Sequence, residues 1–123
     1  MRLKQTRVRD FYCASRTLTA DSEGVNNITW GTPFKVRGEI WKADSTRQSA
    51  EYGDRIENVA NMYVEGKYTI TLENGAPKVT FDNDDVLRPN DGVYVYAETT
   101  DAPDYVIRTI EPCPVLKLEV ERV

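Results

Sequence analysis

Apolar and polar residues alternate with a period of two along much of the chain, the spacing of a strand whose successive side chains point to opposite faces. From Val115 to Val123, Leu116, Leu118 and Val120 alternate with Lys117, Glu119 and Glu121, which predicts one buried and one wet face. Lys67 to Glu73 repeats the pattern with Tyr68, Ile70 and Leu72, and Val79 and Phe81 continue it beyond Asn74-Gly75. That dipeptide tolerates the positive φ of a tight turn, so Gly66 to Asp82 is expected to be a hairpin. Phe34, Val36 and Ile40 predict a further strand with Gly38 as a bulge or bend. Val59 to Val64, Val93 to Ala97 (opened by the turn Pro89 to Gly92) and Asp104 to Ile110 predict others. A first strand covers Thr6 to Ala14, and Pro112-Cys113-Pro114 turns the corner before the last. Ser15 to Thr32 reads as a polar loop with its tip at Asp21 to Gly24.

One segment departs from this pattern. Asp44 to Arg55 is polar, small and poor in β-branched residues; it suits a mobile loop or one or two helical turns capped by Ser45 or Thr46. Six to eight short strands, turns every ten residues or so and no long helix predict an all-β protein. We expect one small β-barrel domain over residues 1–123, with a polar loop or short helix between strands, because closure removes aggregation-prone edges.

Composition narrows the function classes. At 123 residues the chain can bury a sizeable core without disulfides or a metal. It has no histidine, which removes Ser-His-Asp and Cys-His catalysis and histidine-ligated metals. The two cysteines, Cys13 and Cys113, are too few for a four-cysteine zinc site or a disulfide framework and read as free thiols. Asp82-Asn83-Asp84-Asp85 lacks the glycine and terminal glutamate of a calcium loop and reads as a solvated turn. No pair of carboxylates stands out for acid–base work, so no catalytic, cofactor or metal residue is assigned and no enzyme is expected. The longest glycine-or-apolar run, Gly92 to Ala97, is far short of a membrane span. The N-terminus has no apolar stretch behind its charges and does not read as a signal peptide, which predicts a soluble intracellular module.

Charge is unevenly placed. Arg2, Lys4, Arg7 and Arg9 give the first nine residues +4, so with a net chain charge of −4 the remainder carries −8 and the acids concentrate downstream. Asp82 to Asp104 holds seven of them against one base, Arg88. A basic end and an acidic stretch suit complementary contacts between copies or with a partner, and suit ordinary solvated surface equally. The net negative charge argues against a dedicated nucleic-acid binder.

The order of several segments resembles small neck proteins of tailed bacteriophages, especially those of phages and prophages of Gram-positive bacteria. The segments are Arg9 to Arg16, Asp21 to Gly24, Trp30, Phe34 to Trp41, Ser49 to Gly53, Asn90 to Val95 and Pro103 to Ile107, which together span nearly the whole chain. The Gly66 to Asp82 hairpin looks longer than many members carry. The resemblance implies a head–tail connector or head-closure (stopper) protein. Such a protein forms a homo-oligomeric ring under the portal or adaptor ring, closes the DNA-filled head and docks the tail. It would act in the virion neck after assembly in the host cytoplasm, with passing contact to double-stranded DNA. By position, the channel-facing or gating loop would be Asp44, Ser45, Thr46, Arg47, Gln48, Ser49, Ala50, Glu51, Tyr52, Gly53, Asp54 and Arg55, with a helix packed on the barrel's outside as the alternative. Arg2, Lys4, Arg7, Arg9, Trp30 and Trp41 are the candidate subunit or partner contacts, and the tryptophans suit a core equally well. Tail terminator, minor capsid protein, or a small barrel binding nucleic acid or peptide are the competing readings.

Overall fold

Six antiparallel strands close on themselves in the computed structural model, which describes residues 8–123 except Asp21, Glu23, Val25, Asp44, Cys113 and Pro114. In chain order the strands are β1 (Arg9–Ala14), β2 (Arg16–Ala20), β3 (Asn26–Trp30), β4 (Phe34–Lys42), β5 (Val59–Val64), β6 (Tyr68–Glu73), β7 (Ala76–Phe81), β8 (Val86–Leu87), β9 (Gly92–Tyr94), β10 (Tyr105–Glu111) and β11 (Leu116–Arg122). Helix α1 (Thr46–Tyr52) and a 3-10 turn (Gly53–Asn58) lie between β4 and β5. The barrel order is β1-β4-β5-β11-β10-β9, and β9 pairs back to β1. The protein is thus an all-β, single-domain barrel, and the polar segment between strands is a short helix.

Alternation explains the interior. Phe11, Cys13, Val36, Met62, Val64, Leu116, Leu118 and Val120 point inward from β1, β4, β5 and β11 into one core. In β10 a register shift between Ile107 and Thr109 lets Ile107 and Ile110, three apart, both face that core. Gly38 is a close approach and not a bulge: it stays in regular pairing with Arg9 and Val64, and a Cβ there would overlap the Tyr63 carbonyl. The predicted hairpin is present as β6–β7, with Asn74 and Gly75 at φ 53° and 82° in its turn. With β8 it forms a three-stranded sheet whose Val79 and Leu87 join the barrel core.

Several expectations are corrected. Ser15 to Thr32 is not a loop: β2 and β3 pair as a two-stranded ribbon with Leu18 opposite Ile28 and Arg16 opposite Trp30. Its Thr-rich strands carry few apolar residues, which hid the alternation. The strand expected over Val93 to Ala97 ends at Tyr94, because the Asp104 carboxylate takes the amides of Val95 (2.8 Å) and Tyr96 (3.0 Å) that a ladder would use. Eleven strands stand among the described residues where six to eight were expected, the surplus being the ribbon and two-residue β8. The expected wet face of β11 is covered: Glu119 is 0% and Glu121 6% exposed. Residues 6 and 7 of the expected first strand, and the Cys113-Pro114 part of the corner, lie outside the described residues.

Candidate assembly surfaces and the docked helix

Ser45 starts the helix as predicted. Its hydroxyl accepts from the Gln48 amide at 3.1 Å, satisfying one of the first-turn donors. Gly53, at φ 57°, ends α1 and donates its amide to the Ser49 carbonyl. One face of the segment turns to the barrel wall, where Tyr52 and Ile56 pack with Ala43 and Val59 in a small second core. Buried Gln48 donates to the Asn61 side chain at 2.6 Å. The contacts beyond these are ionic. Arg47 pairs with Glu119, with Glu111 at 3.4 Å and with Glu51 at 2.7 Å, while the Tyr52 hydroxyl donates to Glu119 at 3.1 Å. Arg55 forks onto both oxygens of Glu121 at 2.8 and 2.6 Å, and Arg108 adds a third bond at 2.9 Å.

These partners set the charges. Burial pushes the Glu119 carboxyl up, but the hydrogen bonds from Arg47 and Tyr52 and the nearby guanidinium outweigh it, so its pKa lies below the ordinary value. Glu121 is lowered chiefly by its hydrogen bond from Arg55, against burial. The Tyr52 phenol is pushed up to about 12, first by burial and then by the Glu119 charge. Both carboxylates are therefore ionised at neutral pH beneath a helix that neutralises them. Of the segment singled out from the sequence, Ser45 to Arg55 is this docked element; Thr46, Ser49, Ala50, Glu51 and Asp54 face solvent. Asp44 lies outside the described residues.

A second region surrounds the ribbon. Asp91 is 3% exposed and accepts from the amides of Arg16 (3.0 Å) and Arg88 (2.8 Å), while its own carbonyl accepts from Ile107. Burial raises its carboxyl, and the two backbone donors oppose that rise. Asp91 thus ties the ribbon's start to β10 and, although it falls within the acid-rich stretch Asp82 to Asp104, is no part of an acidic surface. Trp30 packs beside Gly92 and Pro103, where any side chain at Gly92 would collide. Between ribbon and barrel wall a groove of about 270 Å³ remains, floored by Ile28, Trp30, Val106 and Val123 and rimmed by Arg16 and Arg108.

A third region lies where β4 ends. Arg9 donates to the Val95 carbonyl at 3.1 Å and covers the rings of Phe11 and Tyr96 at 4.4 and 5.7 Å. It shares a cavity of about 360 Å³ with Glu39, Ile40 and the half-exposed Trp41. Arg9 and Trp41 are therefore brought together, while Trp30 stands apart at the ribbon. Arg2, Lys4 and Arg7 lie outside the described residues. The sequence reading missed Glu119, Glu121, Asn61, Arg108 and Asp91. A charge repeating every second residue on a strand carries no mark of what will cover it. Cys13 is wholly buried, and burial followed by the charges of Asp91 and Asp85 pushes its thiol up, leaving it a packing group. No group of three or more metal-ligating side chains occurs among the described residues, where Asp84 (φ 71°) sits in the turn after β7. No helix among the described residues is long and apolar enough to cross a membrane. Compared with protein-family models, curated proteins and solved structures, the chain matches none.

Proposed function

We propose that this protein is a structural component of a tailed-phage neck, forming a homo-oligomeric ring under the portal or adaptor that closes the filled head and docks the tail. The observation that carries this reading is a closed barrel with exposed apolar side chains on two different elements, the ribbon and the β4 and β9 ends. Ile28 lines the groove with Leu18 opposite it in the ribbon, while Tyr96 and Trp41 lie by the third region. A ring needs two different surfaces on each subunit, so that every copy meets the next head-to-tail. The segment order described from the sequence adds to this. Surface acids such as Asp82, Asp84, Glu98 and Asp101 suit a wall past which DNA slides without capture.

In such a ring, the channel-facing role expected of this segment falls, over its described residues Ser45 to Arg55, to a docked helix. Gating then means undocking, with Arg47 and Arg55 released from Glu119 and Glu121. The test is deletion of the gene from its source genome followed by electron microscopy of the particles. Empty or leaking heads beside complete, separate tails are expected. Tails of abnormal length would move the assignment to tail terminator, and normal infectious particles would overturn the virion reading.

A further inference from the structure

We infer that the loop after β9 plugs the groove of a neighbouring copy, Tyr96 entering between ribbon and barrel wall while Glu98 and Asp101 meet Arg16 and Arg108. This rests on the proposed ring and names the contact that would build it. The plug is an exposed aromatic on a rigid loop. Tyr96 is 74% exposed, yet its backbone is clamped, since Asp104 takes the amides of Val95 and Tyr96. The Tyr94 hydroxyl donates to the Asp101 carbonyl at 3.0 Å, and the Asp101 amide donates to the Glu98 carbonyl at 2.9 Å. A tyrosine held ready in this way loses little freedom on binding, the condition under which aromatic anchors contribute most.

The groove supplies what the plug lacks. Its floor of Ile28, Trp30, Val106 and Val123 is apolar, and Arg16 makes no ion pair among the described residues. Glu98 and Asp101 are exposed and likewise make no ion pair there. An aromatic flanked by two free acids thus complements an apolar floor rimmed by Arg16, which makes no ion pair among the described residues, and by Arg108, whose guanidinium also holds Glu121. The ribbon itself gains from being covered, because a lone two-stranded hairpin is marginally stable in water. Plug and groove use different residues of one chain, so a contact made once per pair of copies is heterologous and propagates, whereas a reciprocal exchange stops at a two-fold dimer.

Paired cysteines on the full-length chain test this, with Cys113→Ser leaving only buried Cys13. Chains carrying Tyr96→Cys mixed at high concentration with chains carrying Ile28→Cys should form a disulfide-linked dimer on mild oxidation, and a chain carrying both should give a ladder. Tyr96→Ala should weaken self-association about tenfold to thirtyfold. Arg16→Glu should weaken it too, and Glu98→Arg on the same chain should restore it. No cross-link in the mixture, or cross-linking of Tyr96→Cys chains only with themselves, would overturn the contact. Infectious particles with normal necks from a Tyr96→Ala phage would also overturn it while leaving the neck role intact, which the deletion experiment decides separately.

Discussion

The two faces of β11 are both buried, and they are buried by opposite means. Inward, Leu116, Leu118 and Val120 meet the apolar core; outward, Glu119 and Glu121 meet Arg47, Tyr52, Arg55 and Arg108. The inner face is held by close packing, which tolerates neither a void nor an insertion. The outer face is held by charges whose arginine partners are half-exposed and readily rehydrated. A barrel closed by the first and a helix attached by the second can respond to different conditions.

The largest effect expected is on the inner face. Leu118→Ala should cost about 2–5 kcal/mol by urea denaturation, from lost transfer energy and the cavity left in a core that collapses only in part. A result near zero would mean that the barrel interior is not close-packed. On the outer face, Arg47→Ala strands the Glu119 charge with Tyr52 as its remaining side-chain hydrogen-bond partner, so α1 should lose protection in hydrogen exchange while β5 and β11 keep theirs. Arg47→Met combined with Glu119→Leu removes both charges and should restore much of that protection. Equal losses in the single and double variants would show that the ion pair does not hold the helix.

The mildest way to separate the faces is pH. The carboxyls of Glu119 and Glu121 lie below their ordinary value of 4.5, so the stabilisation they bring is complete above that value and is lost as pH falls through it and below. The α1 signals in an NMR acid titration should therefore change before those of Leu116, Leu118 and Val120, whose side chains do not titrate. Simultaneous loss of both sets would show that helix and barrel unfold as one unit.

Much of the barrel was legible because its rules are local. Alternation around Met62 and Leu118 and the turn at Asn74-Gly75 depend on residues a few positions apart, as does the Ser45 cap. The ribbon was less legible because Arg16 to Ala20 offers one large apolar side chain, Leu18, to mark a face. Of the candidate contacts, Arg9 and Trp41 do share a cavity, yet nothing in their spacing announced Glu39 beside them.

The chain alone thus determined that this protein is strand-built, where its hairpin turns and which segment departs from the strand pattern, since backbone geometry and periodicity act between neighbours. Tertiary structure alone decided which polar residues are interior. Asp91 is buried because it receives an amide 75 positions away, and Glu119 because Arg47, 72 positions away, folds over it. Solvation follows what lies nearby in space, and a period of two says only that a strand has two faces.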